Sequence, residues 1–305
     1  DGRLDLAVGA PGFSDGESDE GAVYVFPRYA SGLALTAAQI IQGGQTGAAH
    51  GSSLASVGDM NGDGCSDLGA TAALWDEGGL VDAGRAQVYE GSISGPWTGN
   101  PWTLTGTQAG AQLSTIAGGR DLDGDGFVDV AVGVPLWDGA TTDQGRVLWF
   151  GGSALGLSTL PVEALVSLYP GEEFGASLAM GDADGDGLGD LLVGSPLTDS
   201  NASTVRGGAQ LFRGDVSGVL TGPWTFEGLG NGWLLGSAVQ LGDVNGDWTD
   251  DPIAGAPGAS SGTGAVRVKL SRGVAVRPRL LQADGVTPLA SRTLAQGIAL
   301  ASELH

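Results

Sequence analysis

A nine-residue acidic segment returns four times at a nearly constant interval, and no other feature limits the fold as much. DMNGDGCSD starts at Asp59, DLDGDGFVD at Asp121, DADGDGLGD at Asp182 and DVNGDWTDD at Asp243, at separations of 62, 61 and 61 residues. Each is followed at once by a short apolar run ending in small residues: LGATA, VAVGVP, LLVGSP and PIAGAP. The opening residues DGRLDLAVGAP fit the same template from its fifth position, so that Asp1, Arg3 and Asp5 stand where Asp63, Cys65 and Asp67 stand later. At the other end QGIALASELH (296–305) aligns with HGSSLASVGD (50–59). About five periods of about 61 residues therefore fill the 305-residue chain. A repeat of that length settles the architecture before any local reading does.

Within one period the pattern is strand, variable loop, strand, turn, strand, strand, acidic loop. In the first period the predicted strands are Leu4–Gly9, Ala22–Pro27, a segment near Thr36–Gln42, and Ser52–Gly58. Val, Ile, Leu and Tyr punctuated by Gly favour strands over helices. With 57 glycines in the chain, no twelve-residue window keeps a glycine-free helical stripe. Four short strands per unit make a propeller blade, whereas β-solenoid repeats run to roughly 20–30 residues. The fold expected is all-β: a β-propeller of four-stranded blades over residues 1–270, with 271–305 a degenerate last strand or an exit segment.

The acidic loops carry the chemistry. In the loop at Asp121, carboxylates occupy positions 1, 3, 5 and 9 (Asp121, Asp123, Asp125, Asp129), and the backbone carbonyl of Phe127 at position 7 can complete a shell. An all-oxygen, highly charged set in a flexible loop suits Ca²⁺ better than zinc or a transition metal. The loop at Asp182 repeats it with Asp184, Asp186, Leu188 and Asp190. The loop at Asp59 has Asn61, Asp63, Cys65 and Asp67, and the loop at Asp243 has Asn245, Asp247, Thr249 and Asp251, each with one neutral ligand. Cys65 contributes only its carbonyl on this reading. An EF-hand needs a bidentate Glu at position 12, where this chain has Ala70, Val132, Val193 or Ala254, so that reading fails. Trp248 replaces the position-6 Gly of the other loops, which marks the last site as the weakest. Asp1, Arg3 and Asp5 form a partial loop without its first two ligands.

Repeats in which FGAS (174–177) or LGS (235–237) precede D-x-[DN]-x-D-G-x-x-D, followed by GAP, GVP, GSP and GAP, resemble the FG-GAP repeat of integrin α-subunit propellers and many bacterial surface proteins. The resemblance runs to about Lys269. It departs at His50 and Gln112, near the expected Phe-Gly, and at GATAA (69–73), which replaces Gly-Ala-Pro. It implies a Ca²⁺-bound propeller, extracellular, secreted or on a cell surface, from a bacterial source, that binds partners and does not catalyse. Such propellers have seven blades, so five periods imply a five-bladed closure or a part of a larger one. It also implies a ligand face opposite the calcium loops, taking a protein or a glycan, and assembly into a larger complex.

Phe13, Trp75 and Trp137 recur at intervals of 62 residues on that opposite side. They either anchor a ligand or staple neighbouring blades. Trp102 and Trp224, in the matching PWTL and PWTF segments, read as core between blades. The formal charge of −22 argues against nucleic acid or an anionic membrane as partner. No apolar run approaches the 18 or so residues of a membrane helix. One cysteine rules out a disulfide framework, and two histidines stand in no nucleophile motif; the alternatives to a binding and adhesion scaffold are a carbohydrate-binding lectin and a polysaccharide-active enzyme using acids of the variable loops. Six of the thirteen basic residues lie between Arg267 and Arg292, against Asp284 alone in that span, so the charge character changes there.

Overall fold

Each period becomes one antiparallel sheet. The computed structural model describes residues 4–92, 100–167, 169–198 and 204–271. The first sheet is β1 (Leu6–Ala10), β2 (Ala22–Phe26) and, beyond a small hairpin of β3 (Arg28–Tyr29) and β4 (Gly32–Leu33), β5 (Gln39–Gln42). The second is β6 (His50–Gly58), β7 (Asp67–Ala72), β8 (Arg85–Tyr89) and β9 (Trp102–Thr105). The third is β10 (Thr115–Arg120), β11 (Asp129–Val134), β12 (Arg146–Phe150) and β13 (Glu163–Val166). The fourth is β14 (Ser177–Gly181), β15 (Asp190–Ser195), β16 (Gly208–Arg213) and β17 (Thr221–Glu227). The fifth is β18 (Ala238–Gly242), β19 (Asp251–Ala256) and β20 (Ala265–Val268), with a four-residue helix, Ala259–Gly262, before its last strand. The β3–β4 hairpin carries no signal in the repeat.

The first strands of successive sheets pack on one another, β6 on β10, β10 on β14 and β14 on β18, while β1, the counterpart of second strands β7, β11 and β15, packs on β6. This is the radial stacking of propeller blades. Second strands lie deepest; every residue of β7, β11 and β15 is buried. Between the second and third sheets, Val57, Val88, Ile116, Val132 and Phe150 form one apolar layer, and Trp102 meets Phe150 edge-on at 4.8 Å. Between the third and fourth, Leu122, Trp149, Phe174, Leu191 and Phe212 form the next. Trp102 packs against the first of these layers, and Trp224 against a third, between the fourth and fifth sheets, with Leu192, Leu211, Leu235 and Leu241, as core residues between blades should.

The small residues of the repeat have a steric cause. A Cβ on Gly9, Gly133 or Gly194 would fall 2.1, 2.2 and 2.2 Å from the carbonyl oxygen of Gly51, Gly175 or Gly236 in the following sheet. The backbones touch, and the second glycine of each pair has φ near +90°, so neither tolerates a side chain. The second sheet departs at both positions together. Thr71 replaces the first glycine, Ser114 the second, and the Thr71 hydroxyl donates to the Ser114 carbonyl at 2.9 Å. The irregular GATAA is thus a matched exchange of two glycines for one hydrogen bond. Asp1, Arg3 and the segment 272–305 lie outside the described residues.

Candidate metal centre

The four acidic loops connect the first strand of a sheet to its second, and they fold by one local scheme. The position-1 carboxylate accepts amides from further along its own loop: Asp121 from Gly124 and Gly126 (2.6 and 2.8 Å), Asp182 from Gly185 and Gly187 (2.7 and 3.1 Å). Asp59 accepts from Asp63 and Gly64, and Asp243 from Gly246, Asp247 and Trp248. Position 3 accepts from the amide of position 5 in every loop: Asn61, Asp123, Asp184 and Asn245. Position 5 accepts from the amide of position 7: Asp63 from Cys65, Asp125 from Phe127, Asp186 from Leu188, Asp247 from Thr249. Asp and Asn are needed because only a short side chain reaches an amide two residues on.

Position 9 does something different. Asp67, Asp129, Asp190 and Asp251 are at most 2 % exposed. Each accepts the position-2 amide with one oxygen, from Met60, Leu122, Ala183 and Val244 at 2.9, 2.6, 2.7 and 3.1 Å. With the other it accepts an amide past the sheet's third strand, from Gly91, Gly152, Gly214 and Ser271 at 2.7, 3.0, 3.1 and 2.7 Å. Asp5 keeps the second of these bonds, to the Arg28 amide at 2.7 Å. The residue braces loop to sheet as well as facing the site. Sequence spacing marked it only as a ligand.

One carboxylate oxygen each of Asp121, Asp123 and Asp129 lie within 4.8 Å of one another, and so do those of Asp182, Asp184 and Asp190. Asp125 and Asp186 do not join these triads. One oxygen of each accepts the position-7 amide, as one oxygen of Asp123 and of Asp184 accepts the position-5 amide. The loops at Asp59 and Asp243 offer an amide oxygen at position 3 and form no three-carboxylate group. Burial pushes Asp67 up to about 6, and Asp129 and Asp190 to about 7; two amides pull each down and the loop carboxylates push it up again. Asp123 and Asp184 are also raised, by burial first and then by neighbouring carboxylates. Exposed Asp243 is lowered, chiefly by the Trp248 amide. Clustered carboxylates that resist ionisation favour a cation among them. The donors are all oxygen, which fits Ca²⁺.

The loops are also chained to one another. The amide of Gly189, at position 8, donates to the Asp121 carbonyl at 2.6 Å, and that of Asp250 to the Asp182 carbonyl at 2.7 Å. The Asp250 carboxylate accepts the Asp182 amide at 2.9 Å and pairs with Arg120 at 3.1 Å, joining the third, fourth and fifth sheets. Arg213 pairs with Asp184 at 3.4 Å.

At the other end of the sheets, the aromatic candidates serve the blades. The Arg85 guanidinium lies 3.4 Å from the centre of the Trp75 ring, and Arg146 lies 4.7 Å from that of Trp137. Trp75 Nε1 donates to Glu77 at 3.0 Å. Phe13 meets Tyr24 edge-on at 5.8 Å. All three rings are half-buried. Each stacks on a residue of its own sheet's next strand, pinning the variable loop down.

Residues 1–26, 113–148 and 174–209 match the sequence profile of the FG-GAP repeat. The chain carries FG-GAP repeats. It is 36% identical over 199 residues to integrin alpha-IIb of Homo sapiens, covering 63% of this chain and 18% of that protein. It is 36% identical over 203 residues to integrin alpha-7 of Rattus norvegicus, covering 66% and 17%. Phosphatidylinositol-glycan-specific phospholipase D of Rattus norvegicus matches at 31% over 162 residues, 50% of the chain and 19% of that protein. The chain thus spans less than a fifth of the length of these relatives. They are animal proteins and lend nothing to the expectation of a bacterial source. Among the described residues no helix is long and apolar enough to cross a membrane.

Proposed function

We propose that this chain is a calcium-stabilised binding scaffold that works outside the cell, as an adhesion or assembly module of a larger surface or secreted protein. The observation that carries this reading is the four-fold loop, with two copies gathering three carboxylates within 4.8 Å. Ca²⁺ would be held by Asp121, Asp123, Asp125, Asp129 and the Phe127 carbonyl in one loop, and by Asp182, Asp184, Asp186, Asp190 and the Leu188 carbonyl in the next. The loops at Asp59 and Asp243 would hold it more weakly. The ion supplies charge compensation, and no bond-making chemistry is asked of it. Cytosolic free Ca²⁺ would leave moderate sites of this kind empty, which supports an extracellular place. Integrin α subunits among the relatives support binding over catalysis; the enzymatic name of the phospholipase D belongs to that protein. A protein ligand on the loops opposite the calcium loops completes the reading, with residues 1–270 as the scaffold.

Binding to the native state alone stabilises by about 2.7 kcal/mol at a hundredfold excess over Kd. Thermal melting in millimolar Ca²⁺ and in chelator is the test. A clear rise of Tm with Ca²⁺ is expected; equal midpoints would overturn the proposal.

A further inference from the structure

The loops at Asp121 and Asp182 match in every ligand type, yet one of them has a cation beside it. The amide that position 9 holds past the third strand belongs to Gly91, Gly152, Gly214 or Ser271. The residue just before that amide is therefore one structural place in four sheets, filled by Glu90, Gly151, Arg213 and Leu270. Only the fourth sheet puts a base there. Arg213 Nε lies 3.4 Å from Asp184 Oδ2, while Asp184 Oδ1 accepts the Asp186 amide at 3.3 Å. Among the described residues no other ion pair reaches a position-3 carboxylate.

The backbone holds the pair in place. Asp190 takes the Gly214 amide at 3.1 Å, and the Leu122 carbonyl takes the Asp215 amide at 3.0 Å. The turn after β16 is thus tied to its own acidic loop and to the loop at Asp121. The Arg213 side chain is 56 % exposed, against 24 % for Asp184, so the guanidinium can turn out into water while the carboxylate stays with its loop. Burial raises both Asp123 and Asp184, and nearby carboxylates add to it; Arg213 pulls Asp184 back, and no base does so for Asp123. Before any ion arrives, the carboxylates of the Asp182 loop are therefore partly compensated and those of the Asp121 loop are not.

We propose that Arg213 sets the calcium affinity of the loop at Asp182, as a counter-ion that Ca²⁺ must displace, which makes that loop a responsive site and leaves the loop at Asp121 a firmly filled one. The proposal rests on the reading of both loops as calcium sites. The guanidinium already on Asp184 repels a divalent ion arriving among Asp182, Asp184 and Asp190. Asp184 Oδ2 then divides its charge between two cations, so each gains less than it would alone. The loop at Asp121 has Gly151 at that place, where nothing offsets the gain. Counting carboxylates ranks the two loops equal; the ion pair separates them.

The experiment titrates CaCl₂ into the chelator-treated full chain and follows the ¹⁵N–¹H signals of Gly126 and Gly187. Their amides donate to Asp121 and Asp182, so each reports one loop. In the wild type Gly187 should need about tenfold more Ca²⁺ than Gly126 for half its shift. Arg213→Met keeps the length of the side chain without its charge. It should draw the Gly187 midpoint down about tenfold, to that of Gly126, which stays where it was. Arg213→Lys keeps the charge and should hold the wild-type midpoint within about twofold. Equal midpoints in the wild type, an unmoved or raised Gly187 midpoint in Arg213→Met, or a lysine variant that behaves like the methionine one overturns the proposal and leaves the calcium reading standing. A chain in which neither glycine responds overturns both.

Discussion

The two ends of the sheets are built by opposite rules. At one end, four loops share one hydrogen-bond scheme, position 1 to the amide of position 6, position 3 to that of position 5 and position 5 to that of position 7. At the other, each connection is held by its own device: Trp75 under Arg85, Trp137 under Arg146, Glu20 accepting the amides of Asp15 and Gly44, Glu172 accepting the Ser167 hydroxyl. Local geometry that recurs unchanged reports one demand met four times, which a shared ion explains. Geometry that differs from sheet to sheet leaves each position free to acquire its own partner. A binding face is expected at the second end and a stabilising one at the first.

The sharpest way to break this comparison is to remove a brace. Asp129 satisfies two buried amides, at 2.6 and 3.0 Å. Leaving a buried donor unpaired costs roughly 1–3 kcal/mol, so Asp129→Ala should lose about 4 kcal/mol by denaturant unfolding, in chelator as well as in Ca²⁺. If the loss vanished in chelator, position 9 would be a ligand alone and the first end would owe its order to the ion.

Much of this was legible beforehand. The interval of 61–62 residues announced the sheets, and alternate acidic positions announced the loops. What stayed hidden depends on distance in the chain. The brace at position 9 reaches an amide 20–24 residues on, as in Ser271 to Asp251 and Gly91 to Asp67. Asp250 and Arg120 are 130 residues apart. Spacing could show that Asp125 is acidic, but not that one of its oxygens would accept the Phe127 amide. The paired aromatics and arginines were present in the sequence, yet stacking across two strands has no local signature.

His50 sharpens the same comparison from the variable end. It is buried against Tyr89, its Nδ1 lacks a partner, and burial, with Arg85 adding, lowers it from 6.5 to about 4. The unfolded chain takes up the proton first, so stability falls as pH drops from about 6.5 and levels off near 4. Leucine fills the equivalent place at Leu113 and Leu235. His50→Leu should therefore be relatively more stable at pH 4 than at pH 7 by about 3 kcal/mol. Parallel pH profiles of wild type and variant would show that His50 takes up its proton as readily in the folded protein as in the unfolded chain. Raised Asp67, Asp129 and Asp190 act in the opposite sense, and the difference between the two proteins cancels them.

The smallest effect asks whether the four loops are one geometry or three and a variant. Trp248 holds φ at +73°, where Gly64, Gly126 and Gly187 hold +89°, +94° and +93°. The side chain is 91 % exposed, so it buries nothing in return. A Cβ on any of the three glycines would meet no atom within 4 Å. The position is therefore open in space and costly only in backbone conformation, by about 1 kcal/mol for a residue with a side chain. Trp248→Gly should recover up to about that amount, somewhat offset by the freer unfolded chain. The converse Gly126→Ala should lose a similar amount. Calcium affinity of the last loop should rise a few-fold in Trp248→Gly while that of the loop at Asp121 stays put, measured by ion titration of each variant. An unchanged last loop would mean that Asn245, not Trp248, sets it apart.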